Sequence, residues 1–119
     1  MRIRLFNAIL ALLVCVIAAR ANDPTVIKDS EAIQYVGREV EVRGRVTSVT
    51  TSPFGTTFIN FGGEYPNQKF AGFIAAGSPI STDQRLSVIQ GKTVSITGTI
   101  RIRDGKPEIE IVSADQIKG

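Results

Sequence analysis

Two phenylalanines on neighbouring strand-like segments are the most suggestive chemical feature of this 119-residue chain. Apolar residues alternate along both segments, and this parity predicts that Phe58 and Phe73 lie on outward-facing positions. Aromatic rings on such a face could stack against the flat groups of a ligand. The alternative is that both rings pack beneath a neighbouring loop or helix.

Five basic residues could contact phosphate groups near these rings. Arg43 and Arg45 share outward-facing positions of one strand, and Arg101, Arg103 and Lys106 surround a predicted Asp-Gly hairpin turn. The alternative is a solvated face on which the arginines pair with glutamates of adjacent strands. The glutamates in question are Glu39, Glu41, Glu108 and Glu110.

A loop rich in Gly, Pro and Asn, residues 62–69, contributes two further candidates, Tyr65 and Lys69. Ordered loops of this kind often form one edge of a binding site, so both residues could contact a ligand. Tyr65 could equally cover one end of the domain. Gly62 and Gly63 do not form a phosphate loop, because no helix follows them.

The first 21 residues have the pattern of a signal peptide. Arg2 and Arg4 precede an apolar run, and Ala19-Arg20-Ala21 provides the small residues that signal peptidase requires. The run is short for a membrane span, so we expect a periplasmic or secreted protein with no membrane span in its mature form. An uncleaved membrane anchor is the alternative.

Removal of this leader would leave a neutral domain without cysteine or histidine. Three of the 14 basic residues and none of the 11 acidic residues lie in the leader, so eleven of each remain. The only cysteine, Cys15, also lies there. These counts exclude disulfides, Cys or His nucleophiles and the common zinc sites from the mature chain, and we expect neither a cofactor nor a metal.

The fold is indicated by a ten-residue pattern that occurs twice. Residues 37–46 (GREVEVRGRV) and 91–100 (GKTVSITGTI) both alternate β-branched and polar residues, and both carry glycine at the eighth position. Glycine inside a strand marks a bend or a bulge. Two long bent strands predict an all-β domain, built as a closed five-stranded barrel.

We expect three regions along the chain: the signal peptide at 1–21, a lead at 22–36, and the barrel at 37–119. The lead should be frayed up to Lys28 and then form a short helical turn that places Ile33 and Val36 under the barrel. A bulge is predicted near Thr47 and Ser48. The remaining predicted elements are strands at 39–51, 56–61, 70–75, 93–103 and 107–112, and a helix at 78–90.

This arrangement, together with several short motifs, resembles the OB-fold, a five-stranded Greek-key barrel with a helix between strands 3 and 4. The motifs include Val42-Arg43-Gly44-Arg45-Val46, Ile96-Thr97-Gly98 and, most distinctively, FINFGGEYPNQ from Phe58 to Gln68. They resemble the nucleic-acid-binding OB domains of the tRNA-anticodon type, as found in exported bacterial proteins. The resemblance covers about residues 36–117.

The resemblance implies a binding protein without catalytic activity, whose ligand is single-stranded DNA or RNA. Phe58 and Phe73 would then be stacking surfaces, with the arginines on phosphates. The alternative is an accessory module that binds a protein or an oligosaccharide on the same face, because OB barrels also bind such ligands. Net neutrality and the export signal favour this alternative, whereas the motifs favour nucleic acid.

We predict cleavage after Ala21, which leaves Asn22 as the new N-terminus. The basic start, the apolar run and the small residues at 19 and 21 are the reason. The intact mass of the protein recovered from the exported fraction measures the outcome. A full-length mass in the membrane fraction would show instead that the segment is an anchor.

Overall fold

The computed structural model describes residues 23–119, so the predicted leader lies outside the described part of the chain. Between these residues the chain is mostly β, and its helical segments are short 3₁₀ turns. No helix in this range is long and apolar enough to cross a membrane.

Eight strands make up the described domain. In chain order they are β1 (Thr25–Lys28), β2 (Glu39–Thr51), β3 (Thr57–Phe61), β4 (Phe70–Ile74), β5 (Thr93–Thr99), β6 (Arg101–Arg103), β7 (Lys106–Glu110) and β8 (Ile117–Lys118). The 3₁₀ turns are Asp29–Tyr35, Pro79–Thr82, Gln84–Ser87 and Ala114–Gln116.

The strands form two sheets that share two segments of the chain, β2 and the stretch from β5 to β6. The first half of β2 pairs with β1 and β5, and β8 extends this first sheet. The second half of β2 pairs with β3, followed by β4, β7 and β6 in the second sheet. β2 changes sheets next to a register shift between Val46 and Ser48, which confirms the predicted bulge.

The two sheets are continuous through β2, and the hydrogen-bonded array that they form is open. The prediction of a closed five-stranded barrel is therefore corrected. The strand order of the array is β6-β7-β4-β3-β2-β5-β8, with β1 beside β2. The Gln116 side chain bridges the gap between β5 and β7. Its Nε2 donates to the carbonyl of Thr97 at 3.0 Å and to that of Glu110 at 2.9 Å.

The structure has eight strands rather than five for local reasons. Thr25–Lys28 is not frayed, because it pairs in parallel with β2. The predicted strand 93–103 divides at Ile100, whose N–H donates to the Arg38 carbonyl while its own carbonyl accepts from the Gly37 N–H. The short strand β8 pairs with β5.

The helix predicted at 78–90 is replaced by two 3₁₀ turns. Asp83 between them has an extended backbone (φ −64°, ψ 127°), and its carboxylate accepts from the Arg85 N–H, which caps the second turn. The Arg85 side chain also hydrogen-bonds this carboxylate and lowers the pKa of Asp83. This local pairing favours the interruption over a continuous helix.

The core consists of inward-facing strand residues and a few residues from the turns. In the lead, Ile27 and Ala32 are buried. Ile33 and Val36 were predicted to lie under the barrel, but they are 53% and 45% exposed. Ile102, an apolar residue of the predicted strand 93–103, is exposed because β6 is an edge strand beyond the break at Ile100. The largest buried core side chains are Phe61, Phe70, Ile59, Ile74, Ile96, Ile100, Ile109 and Ile111.

The two repeated glycines differ in what surrounds them. A Cβ at Gly98 would lie 2.5 Å from Cγ2 of Ile109, a fully buried side chain that has no room to move. A Cβ at Gly44 would lie 2.8 Å from the carboxylate end of Asp29, which is only partly buried. Gly98 is therefore the stricter requirement of the fold.

We predict that Gly98→Val destabilises the domain by about 1–3 kcal/mol, since the added side chain overlaps Ile109. Gly44→Val should cost less, because Asp29 can turn towards solvent. Thr99→Val, at an exposed position beside Gly98, is the control and should stay within about 0.5 kcal/mol of wild type. Denaturant melts measure all three variants, and equal midpoints for the Gly98 and Thr99 variants would contradict this packing.

Candidate functional site

The outer face of the second sheet brings the two candidate phenylalanines together. Phe58 on β3 lies directly opposite Phe73 on β4, and their ring centroids are 5.8 Å apart at an interplanar angle of 53°. This tilted arrangement is a favourable geometry for an aromatic pair. Phe58 is partly exposed, whereas Phe73 is only 8% exposed.

A buried carboxylate holds two of the candidate arginines on the same face. Glu108 on β7 accepts from Nε of Arg101 at 3.0 Å and from Nε of Arg103 at 2.9 Å, and its side chain is 4% exposed. Glu110 accepts from Nη1 of Arg101 at 3.4 Å and is more exposed. The sequence left open whether the arginines pair with glutamates of adjacent strands, and Arg101 and Arg103 do so here.

These arginines also cover Phe73. The guanidinium carbon of Arg103 lies 4.0 Å from the centroid of the Phe73 ring, and that of Arg101 lies 5.3 Å from it. Arg103 is thus within cation–π range, and the ring is enclosed by Phe58 and the arginines. Phe73 accordingly supports its neighbours and offers little free surface to a ligand.

A cleft of about 530 Å³ opens beside this cluster. Its walls come from the end of β2, from β3 and β4, from the 62–69 loop, and from the hairpin between β6 and β7. The charged groups that line it are two basic and three acidic residues, so the cleft is close to neutral. The lining residues are Thr50, Thr51, Ser52, Phe58, Glu64, Tyr65, Gln68, Ala71, Arg103, Asp104, Lys106, Pro107 and Glu108.

Four of the nine predicted site residues line this cleft: Phe58, Tyr65, Arg103 and Lys106. Phe73 and Arg101 adjoin it through their contacts with Phe58, Arg103 and Glu108.

The other three predicted residues lie elsewhere. Arg43 donates from Nη1 to Oγ of Ser95 on the first sheet, and Arg45 donates from Nε to the Gly91 carbonyl. Lys69 is exposed outside the cleft lining, and its stem packs beside Gly62. The arrangement does not bring these three cations to the aromatic pair.

Positive backbone φ angles shape the 62–69 loop that carries Tyr65. Gly62 (φ 71°) and Gly63 (φ 138°) adopt conformations that favour glycine, and the Gly63 N–H donates to Oγ1 of Thr47. The Lys69 N–H returns to the Phe61 carbonyl and closes the loop. Tyr65, 68% exposed, is thereby held in the lining of the cleft.

Several polar residues of the face were not predicted as site residues. Thr50 lies opposite Phe58, so the predicted bulge and the strand parity could have found it. Asn60 is 1% exposed, and its Nδ2 donates to hydroxyls of Ser48 and Thr50 beneath the cleft. Gln68 is also buried, but no sequence pattern signals the burial of a glutamine within a loop.

The described residues 23–119 contain no group of three or more Asp or Glu side chains placed to hold a metal ion. The carboxylate of Glu108 faces arginines, and its ion pairs occupy Oε1. What the cleft offers chemically is an aromatic surface, a guanidinium plane, hydroxyl groups and a few charges of both signs. These groups can stack on flat surfaces and hydrogen-bond polar groups.

No protein-family model matches the chain, and no curated protein matches it. Among solved structures, it is similar to one described as an aspartyl-tRNA synthetase from Leishmania major Friedlin. The TM-score is 0.52 and the identity is 14%, over 82% of this chain and 21% of that one. The chain thus spans about a fifth of that protein's length, and the likeness concerns the fold alone.

We predict that Glu108→Gln destabilises the protein by about 1–2 kcal/mol, because it removes the buried charge that both arginines share. The half-exposed arginines can recover water, which keeps the loss below that of a fully buried pair. Glu110→Gln is the matched control and should cost less than about 0.5 kcal/mol. Thermal or denaturant melts that rank the two variants equally would show that Glu108 does not organise this face.

Proposed function

We propose that residues 37–119 form an OB-fold. In support, β2, β3, β4, the β5–β6 segment and β7 correspond to five strands in the order that a partly open Greek-key barrel requires, with β7 between β4 and β6. The fold likeness to part of an aspartyl-tRNA synthetase agrees with this assignment.

We infer further that this domain binds single-stranded nucleic acid in the cleft. The observation that carries the proposal is the convergence of Phe58, Tyr65 and Arg103 on one cleft beside the β3–β4 strand pair. OB-folds bind oligomers on the face of the corresponding strands and at the two adjoining hairpins. Here Ser52 and Asp104 mark where those hairpins reach the cleft.

Stacking would supply most of the affinity. A base can lie against the exposed part of Phe58 or against the guanidinium plane of Arg103, and Tyr65 adds a second ring to the cleft lining. Phe73 would act indirectly, because it holds both Phe58 and Arg103 in place. Every base has a flat face, so this mode tolerates many sequences.

Contacts with phosphate groups would contribute less to the affinity here than they would on a strongly basic surface. Arg101 and Arg103 are already paired with glutamates, so Lys106 is the cleft cation for which the structure gives no carboxylate partner within residues 23–119. Each phosphate neutralised on a single strand changes the slope of log affinity against log salt by about 0.7. A slope magnitude below about 2 therefore follows from this arrangement.

Oligosaccharide is the second candidate ligand, and the cleft lining favours it specifically. The hydroxyls of Thr50, Thr51 and Ser52 and the carboxylates of Glu64 and Asp104 suit the polar edges of a sugar ring, and Phe58 suits its apolar face. OB-folds also bind oligosaccharides at this location.

The proposed role is binding without catalysis in an exported protein. Glu108, the buried carboxylate of the cleft, is engaged by two arginines and is therefore a poor general acid or base. The export assignment rests on the basic start, apolar run and small residues of the first 21 positions.

We predict that Phe58→Leu weakens binding of a short single-stranded oligonucleotide by about 1–3 kcal/mol, since it removes the ring but keeps apolar volume. Phe58→Tyr restores a ring and should bind nearly as wild type. Arg103→Ala should also weaken binding, and Arg43→Ala, on the other sheet, is its control. Fluorescence anisotropy at low and high salt measures each affinity, after melts have shown that each variant is folded.

Two results would contradict the nucleic-acid assignment. The first is a folded wild-type protein that binds no oligonucleotide at low salt, and the second is equal losses for Arg43→Ala and Arg103→Ala. Binding of an oligosaccharide in the same assay, with the same loss on Phe58→Leu, would assign the cleft to glycans.

A further inference from the structure

Gln68 combines two properties that rarely occur together. It lines the cleft, and the residue is only 6% exposed. Its Oε1 atom is enclosed and has no hydrogen-bond partner within residues 23–119. The other fully buried side-chain oxygens and nitrogens of residues 23–119 all have a hydrogen-bond partner.

A buried carbonyl oxygen without a partner disfavours folding, and the large majority of buried side-chain polar atoms are hydrogen-bonded. The contrast with Asn60 is direct, because that amide donates to Ser48 and Thr50 on the same face. Asn60 has a structural role, whereas the bonding capacity of Gln68 is left unused by the protein. A turn of the amide would bring this enclosed oxygen to a ligand in the cleft.

The other strong acceptor at the centre of this face is already occupied. Oε1 of Glu108 accepts from both Arg101 and Arg103. Gln68 also shares its loop with Tyr65 and its cleft with Phe58, so a group stacked on Phe58 would occupy the same cleft as the amide. The terminal torsion of a glutamine is broad, which allows the amide to turn its oxygen towards the cleft.

We propose that Gln68 is a specificity-determining residue that reads the edge of a base stacked on Phe58. This inference rests on the proposed nucleic-acid function. Its amide presents an acceptor beside a donor, and adenine presents the complementary pair, the N6 amine beside N7. Gln68 accepts from the N6 amine, so adenine should bind more tightly than the same purine ring without that amine.

The test compares two single-stranded oligonucleotides that differ only in the N6 amine: one carries adenine, and the other carries unsubstituted purine at the same positions. Wild-type protein should prefer adenine over purine by roughly 2- to 13-fold, the range for one hydrogen bond, because purine keeps N7 and lacks only the amine. Gln68→Met should bind both with equal affinity and keep the wild-type melting temperature, because methionine fills the space without an unpaired oxygen. Gln34→Met, at an exposed position of the lead, is the control and should retain the preference.

The outcomes separate this inference from the function on which it rests. If the wild type binds neither oligonucleotide, the proposed function fails. If the wild type binds both equally, or if Gln68→Met keeps the preference for adenine, the function stands and the role of Gln68 is wrong. If Gln68→Met loses both affinities and melts at a lower temperature, Gln68 is a structural residue, and the inference is overturned.

Discussion

The fold depends on two chain segments that each serve both sheets. β2 passes from the first sheet to the second at a bulge, and the β5–β6 segment does so at Ile100, where loop residues supply the backbone partners. The sheets can approach only if the backbone is unobstructed nearby, which explains the tight packing of Gly98 against Ile109. Where backbone pairing stops between β5 and β7, Gln116 provides the hydrogen bonds instead.

This arrangement produces the candidate site on the outer face of the second sheet. Because β7 lies between β4 and β6, Glu108 meets both arginines, and the arginines meet Phe73. The cluster fixes Phe58 and Arg103 at the cleft while it neutralises most of the positive charge. Such a surface favours ligands recognised by stacking and hydrogen bonding over ligands recognised by charge.

Alternation of apolar residues predicted the five main strand segments, the bulge and the outward-facing positions of the two phenylalanines, since these follow from local periodicity. It did not predict what depends on distant partners. β1 forms because β2 offers an open edge, and Ile102 is exposed because its strand lies beyond the break at Ile100. The capping of Gln84–Ser87 by Asp83 overrode an apparent helix pattern. Within the site, the burial of Gln68 is a tertiary property that no local pattern reports.

In the proposed complex, the ligand occupies the cleft beside Phe58. Mapping of backbone amide chemical shifts during titration of the isotope-labelled protein with a single-stranded oligonucleotide tests it most directly. We expect the largest changes at Ser52, Phe58, Tyr65, Gln68 and Arg103, with little change at Arg43 or Ser95 on the first sheet. Changes concentrated on the first sheet, or none in the cleft despite binding, would contradict it.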